Sequence, residues 1–376
     1  MHRDDGAFVP RGDTVVFVST SRGIGGPARS LLTVLDHLGD DLGRVLFAPP
    51  GDLASLARSH GVAHHLPMPF DLRHRRRSRI RAATILARYV RHHRRHIVAV
   101  HANGQSELNL AAAVMAIARV PIVMWAHTSK ASPTAAILGP LWRRAGSRVH
   151  WLAVSETATA TLVRTLGVPP GAVSIIPNPI DPSVASDPVP HEGVRVGYLG
   201  LATLSKGFDL LAPIVRQLDR DDIGLDLYVA EPSPHTPVPL RHPWEELNEL
   251  STERDITLPG RVRDVARAYA SCDIVLCPSR TESFGRVVAE AMMNGIPVVA
   301  SDIPAHRELI GGSGGGRLFP DGDAAAAAAA IQQLADDPRS RRELGERGRR
   351  YVQRFAPERV VPRLEACYRG GARSVP

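Results

Sequence analysis

Residues 277–302 read CPSRTESFGRVVAEAMMNGIPVVASD. The apolar run that ends at Cys277 reads as a strand, and PSRTES as a loop. A helix begins near Phe284 or Gly285, and after Gly295 the segment IPVVA supplies a second buried strand. The first backbone N–H groups of that helix, over Ser283, Phe284, Gly285 and Arg286, have no intrahelical partners. They carry the positive end of the helix dipole and make an anion site suited to phosphate. Glu282 stands just before the helix and Glu290 within it. Their carboxylates can flank a phosphate and accept hydrogen bonds from vicinal hydroxyls, so sugar rings on both sides of a diphosphate fit the pattern. The plainer alternative is an ordinary strand–loop–helix with an acidic cap at Glu282.

The same alternation runs outward in both directions. Strands are expected at 14–19, 44–48, 97–101, 122–127, 151–155 and 173–177, with a Gly-rich turn and a helix over 27–38 after the first. Continuous apolar runs between helical patterns indicate parallel strands covered on both faces. The stretch NPIDPSVASDPVPHEG (178–193) has a linker composition, and after it the pattern restarts with strands at 194–199, 225–229, 274–277, 297–300 and 316–319. The fold class is therefore α/β, with two Rossmann-like, doubly wound parallel-sheet domains at 12–182 and 193–354. The carboxyl ends of their sheets are expected to face an interdomain cleft. Asp323, before the alanine run 324–330, reads as a helix N-cap and not as part of a metal-binding Asp321-x-Asp323 pair.

With 376 residues, 44% hydrophobic and 22% charged, the chain is a globular protein of two ordinary domains. Its three cysteines show no metal-ligand spacing, which fits a reducing cytoplasm without disulfides. The N-terminus lacks the apolar region of an export signal, and the apolar stretch 108–126 reads as a helix followed by a buried strand. The net charge of +8 is local: residues 73–96 contain ten Arg, four His and no acid, and the rest of the chain is slightly acidic. A helix is expected over 76–96, with Ile80, Ala83, Ala87 and Val90 on its apolar stripe.

Taken with their order and spacing, ESFGRVVAE and AEAMMNGIPVVASD resemble the Glu-x7-Glu signature of retaining GT-B glycosyltransferases of family four, the bacterial group 1 type. The likeness spans nearly the whole chain. Gly25 and Gly26 resemble the family's N-terminal glycine loop, WAH (125–127) its histidine after a central strand, IPN (176–178) the hinge entry, and GLATLSKG (200–207) the donor loop. The resemblance implies a nucleotide-sugar donor, UDP- or GDP-linked, and transfer of a hexosyl group to a lipid-linked, glycan or small-molecule acceptor without a metal. Glu290 would bind the ribose hydroxyls, Glu282 the donor sugar and Lys206 the diphosphate, which the backbone over Ser283–Arg286 would orient. His127 would meet the transferred sugar, and Gly25 and Gly26 the phosphate or acceptor. The N-terminal domain would bind acceptor, joined by a C-terminal helix within 357–372. The chemistry agrees: bond cleavage puts negative charge on the leaving phosphate, which a lysine and a helix N-terminus stabilise.

Two positions depart from the family pattern. Leu201 stands where Arg usually follows the first glycine of the donor loop, leaving Arg22, Arg280 or Arg286 to substitute, and Ala230-Glu231-Pro232 replaces a Gly-rich turn. His101 and Asn103 end another strand, where they would either line the acceptor cleft or serve the structure. The basic segment is either a solvated helix or a docking surface for anionic lipid at the inner face of the cell membrane, and the family's envelope acceptors favour the latter. A nucleic-acid-binding protein would need interleaved aromatics or a zinc or helix-turn-helix pattern, which are missing. An epimerase on the same scaffold is the alternative enzyme.

Overall fold

The computed structural model describes residues 10, 12–69, 76–128, 148–230, 238–260, 262 and 264–370. They fall into two compact units: residues up to Pro179 together with those from Pro357 onward, and Ile180–Ala356. Residues 73–75 of the basic segment, and Glu231 and Pro232, lie outside the described residues.

The first unit contains β1 (Thr14–Val18), α1 (Gly26–His37), β2 (Gly43–Ala48), α2 (Asp52–Ala57), β3 (His64–Pro67), α3 (Arg76–His92), β4 (Ile97–Ala102), α4 (Gln105–Ala118), β5 (Ile122–Ala126), β6 (Val149–Ala153), α5 (Glu156–Leu166) and β7 (Val173–Ile175). The strands pair in parallel in the order β3-β2-β1-β4-β5-β6-β7. Residues 15–18 of β1 and 122–126 of β5 are wholly buried, as strands covered on both faces must be. β3 was not expected, because HHLP at the sheet edge is only half-buried and has no apolar run.

α3 differs from its predicted stripe. Ala82, Leu86, Ala87 and Val90 are buried, whereas Ile80 is 61% exposed. Leu86, the larger side chain, sets the packed face through the i, i+4, i+8 row 82–86–90, and this turns Ile80 outward among the arginines.

The second unit contains β8 (Val194–Leu199), α6 (Leu211–Gln217), β9 (Ile223–Tyr228), α7 (Val238–Leu250), β10 (Ile256–Thr257), α8 (Val265–Ala270), β11 (Ile274–Cys277), α9 (Arg286–Met293), β12 (Val298–Ser301), β13 (Gly316–Phe319), α10 (Ala324–Asp336) and α11 (Pro338–Val352). Its strands are again all parallel, in the order β10-β9-β8-β11-β12-β13. Phe208, Leu211, Ile214, Leu227, Ile331 and Leu334 form part of its core. Asp323 caps α10, accepting from the Ala326 N–H at 2.9 Å.

The Pro- and Ser-rich stretch is no free tether from Ile180 onward. Ile180 N–H donates to Phe355 O at 2.9 Å, Val189 N–H to Ala270 O at 2.8 Å, and Asn294 Nδ2 to Val184 O at 3.0 Å. Backbone groups that composition leaves without a ladder are satisfied by the second unit instead. The last helix, α12 (Pro357–Tyr368), packs on the first unit: Arg363 Nη2 donates to Ile175 O at 2.9 Å, and Tyr368 Oη lies 2.9 Å from His101 Nδ1.

Each sheet reverses its strand order once, between β1 and β4 and between β8 and β11. Open parallel sheets bind ligands outside the strand carboxyl ends at such points. No helix among the described residues is long and apolar enough to cross a membrane.

Candidate functional site

In the second unit a small pocket, partly open to solvent, lies at the carboxyl ends of β8 and β11. Its lining includes Tyr198, Lys206, Ser279, Glu282, Gly285 and His306. Two loops build it. The loop after β8 carries Lys206, and the loop after β11 carries Glu282. Between them Arg280 Nη1 and Nη2 bind Asp209 Oδ1 and Oδ2 at 2.6 and 2.7 Å, Nη1 reaches Leu204 O at 2.9 Å, and the Arg280 N–H donates to Ser205 O at 3.0 Å. Gly207 permits the close approach. Its φ is +66°, and a Cβ there would sit 1.9 Å from Pro278 O. Tyr198 Oη donates to Leu201 O at 3.1 Å from beneath. Burial raises its phenol far above the ordinary value, so it stays a neutral donor.

Held this way, Lys206 Nζ is 2.5 Å from Glu282 Oε1, and Ser279 Oγ donates to the same oxygen at 3.1 Å. Gly285, with φ +87°, is the N-cap of α9; no side chain caps that helix, and Val287 and Val288 of its first turn line the pocket. The site thus joins a helix N-terminus, an ammonium and a carboxylate. His306 Nδ1 faces Ser301 O at 2.9 Å, which fixes the proton there, and burial lowers its pKa so that the ring is neutral. Cys277 also lines the pocket, but burial pushes its thiol up and leaves little thiolate for nucleophilic attack.

Lys206, Glu282 and Gly285 are therefore brought together, whereas Ser283, Phe284, Arg286 and Glu290 do not line this pocket. Phe284 is buried edge-on to Phe355, with ring centroids 5.2 Å apart, and so anchors the loop. Glu290 is 4% exposed; Arg286 binds its Oε1 at 2.8 and 3.1 Å, and Tyr269 Oη donates to its Oε2 at 3.0 Å. Within the second unit, neither Arg280 nor Arg286 offers this pocket an uncommitted guanidinium in place of a cation at Leu201. Arg280 is held by Asp209, Arg286 by Glu290, and Arg22 Nε donates to Pro50 O at 3.3 Å in the first unit. Asp209, Ser279, Tyr198, Tyr269 and His306 were missed by the sequence reading. The GFD run after Lys206 gave the one usable signal, a turn with an acid at its end.

In the first unit, Gly25 is the N-cap of α1, with no side-chain cap and Pro27 in the first turn. Asn103, 3% exposed, donates from Nδ2 to Pro27 O at 3.2 Å, and its Oδ1 lies 3.1 Å from His127 Nε2. His127 thus connects through one amide to the start of α1, while its ring stands edge-on to Trp125 with centroids 4.3 Å apart. Glu107 fixes the loop ahead of the glycines by accepting Thr20 N–H at 2.8 Å and Thr20 Oγ1 at 2.7 Å. His101 is wholly buried among Phe17, Trp125 and Tyr368, and burial drives its pKa down to about 3; its role is structural.

Comparisons with known proteins meet this geometry in both units. The family described as Glycosyltransferase Family 4 matches residues 24–184, and the family described as Glycosyl transferases group 1 matches residues 193–337. D-inositol 3-phosphate glycosyltransferase 1 of Catenulispora acidiphila is 29% identical over 192 residues, covering 48% of this chain and 45% of that protein. The MMP alpha-(1->4)-mannosyltransferase of Mycolicibacterium hassiacum is 29% identical over 226 residues, covering 58% and 53%. The chain spans about half the length of these curated relatives. Among solved structures, Anabaena Alr3699/HepE in complex with UDP-glucose aligns with a TM-score of 0.80 at 19% identity, over 94% of this chain and 98% of that one.

Proposed function

We infer the reaction from the family: the chain belongs to the family-four glycosyltransferases of the GT-B fold, with one family match in each half. It transfers a hexosyl group, with retention of anomeric configuration and without a metal, from a nucleotide sugar to a lipid-linked, glycan or small-molecule acceptor. The observation that carries this reading is the contact between Lys206 and Glu282 in a pocket at the β8/β11 switch point, against the N-terminus of α9.

That pocket holds opposite charges where the reaction separates charge. The ammonium of Lys206 and the α9 N-terminus stabilise the departing diphosphate, and Glu282 accepts hydroxyls of the transferred sugar. Glu290, oriented by Arg286 and Tyr269, has acceptor capacity left on Oε2 for ribose hydroxyls. By the family pattern His127 meets the transferred sugar, and the Gly25–Gly26 loop the phosphate or acceptor. UDP-glucose, the ligand of the Anabaena neighbour, is the first donor to try, and GDP-linked sugars the next. The exposed arginine face of α3 holds the enzyme at an anionic lipid surface on the cytoplasmic side, where a lipid-linked acceptor resides.

Thermal denaturation with UDP, GDP and their sugar conjugates tests the assignment. One nucleotide series should raise the midpoint in the wild type and fail to do so in Glu290→Ala. If no nucleotide shifts the wild type, the assignment is wrong.

A further inference from the structure

The two groups that an activated sugar requires are already spent on each other. Lys206 Nζ and Glu282 Oε1 are 2.5 Å apart, with the lysine side chain 31% and the glutamate 15% exposed. The pair leaves the half-buried pocket with no uncompensated charge from either side chain, whose desolvation would be costly. We propose that this ion pair is the resting state of a charge exchange. An incoming diphosphate takes Lys206 from Glu282, which frees the carboxylate for sugar hydroxyls; after transfer, Glu282 reclaims Lys206 and so drives the nucleoside diphosphate out. This rests on the donor-site reading above and adds to it a cause for product release.

The surrounding contacts confine the exchange to one side chain. Arg280 ties the backbone of the Lys206 loop to the Glu282 loop at Leu204 O and Ser205 O and through Asp209, so the two Cα positions are held together. The flexible lysine stem can swing while both loops stay still. When Lys206 leaves, Ser279 Oγ at 3.1 Å still holds Glu282 Oε1, so the carboxylate keeps its position and presents its other oxygen. Arg280 and Arg286 cannot replace Lys206 at the phosphate without abandoning Asp209 and Glu290. Each diphosphate must therefore compete with Glu282 for Lys206, so the wild-type pocket holds product more weakly than its groups permit. Nucleotide sugars recover the difference, because they alone engage the released carboxylate.

Calorimetric titration of UDP and GDP, with uridine and guanosine as controls, into the wild type, Glu282→Gln, Lys206→Met and the double variant tests this. The expected result is counterintuitive: Glu282→Gln, which damages turnover, should bind the nucleoside diphosphate about tenfold more tightly and the bare nucleoside unchanged. The gain should vanish in the Lys206→Met background, because no lysine is left to release. Glu282→Ala and the ligand-free melting midpoints guard against a misfolded variant. If the Glu282 variants bind no tighter, the exchange is overturned. A gain that persists without Lys206 also overturns it, since plain repulsion between Glu282 and phosphate would then suffice. If the wild type takes up neither UDP nor GDP, the donor-site reading falls, and the exchange with it.

Discussion

Arg280 grips Asp209 with two nitrogens, each on a different carboxylate oxygen, at 2.6 and 2.7 Å. A two-pronged pair of this kind fixes direction as well as distance. Its fixed direction matters because Lys206 lies in the loop between β8 and Asp209, and Glu282 lies two residues beyond Arg280. Truncating Asp209 to Ala should weaken UDP or GDP binding by roughly tenfold, while the melting midpoint falls by only a few degrees. Calorimetry on Asp209→Ala, Arg280→Met and the double variant should show strong non-additivity. Simple additivity would mean that the clamp does not position the site.

Gly207 and Gly25 make a contrasting pair. At Gly207 the left-handed φ costs a side chain about 1–2 kcal/mol before any contact is considered, and the Pro278 carbonyl blocks a Cβ outright. Gly207→Ala should therefore lower the melting midpoint and abolish the nucleotide-induced shift. Gly25 has φ −99°, and a methyl group there would meet nothing within 4 Å, so Gly25→Ala should leave the midpoint unchanged. Transfer activity in that variant is the informative readout. A fall without loss of stability would mark a ligand-approach role for the glycine loop; full activity would make it a turn.

Burial drives the His101 pKa from its ordinary 6.5 down to about 3 and lowers that of His306 as well. A buried neutral histidine binds fewer protons in the native state than in the unfolded chain, so stability rises with pH across the gap. The contribution is complete above about pH 6.5 and is lost progressively as pH falls towards 3. Melting midpoints measured from pH 7.5 to 4.5 should fall steadily on the acid side, and His101→Gln should flatten that slope. An unchanged slope in the variant would assign the acid sensitivity elsewhere.

The parts of this molecule that the sequence discloses are those fixed by burial or by local chemistry. β1 and β5 are legible because strands covered on both faces are apolar throughout, and the α10 start because Asp323 sits one residue ahead of an alanine run. β3 and the two-residue β10 are not, since edge strands need no continuous apolar run. The site divides in the same way. Glu282, Gly285 and the α9 start follow from one contiguous segment, and the Arg286–Glu290 pair is an i, i+4 contact. Tyr269 over Glu290 and Asp209 beneath Arg280 join residues 21 and 71 positions apart, which only the fold brings together.

Arg81, Arg88, Arg91, Arg94 and Arg95 are exposed, with no acidic partner among the described residues, and Ile80 projects among them at 61% exposure. Each such cation adds about 1 kcal/mol at an anionic bilayer. Changing Arg81, Arg88 and Arg91 to Gln should weaken co-sedimentation with phosphatidylserine vesicles by more than tenfold at physiological salt, with no effect on uncharged vesicles. Binding that survives the triple change, or that appears on duplex DNA instead, would remove the membrane assignment.

The stereochemical outcome is set by what lies beside the reacting carbon. Retaining glycoside hydrolases use one carboxylate as nucleophile and a second about 5–5.5 Å away as acid and base, whereas a departing diphosphate needs no such acid and a double displacement would rest on the nucleophile alone. Among the described residues the lining of this pocket offers one carboxylate, Glu282, whose Oε1 accepts from Lys206 and Ser279. Once a diphosphate has drawn Lys206 away, Ser279 still holds that oxygen, and the proposed task of the carboxylate is to anchor sugar hydroxyls. On the function proposed above, attack would come from the face that the diphosphate leaves, with the diphosphate itself receiving the acceptor proton, and configuration would be retained without a covalent enzyme intermediate. Proton NMR of the first-formed product should show the anomer of the donor. Azide added to Glu282→Ala should yield no glycosyl azide of inverted configuration, the product expected where a missing nucleophile is replaced. An inverted transfer product, or efficient azide rescue, would require a different mechanism at this carboxylate.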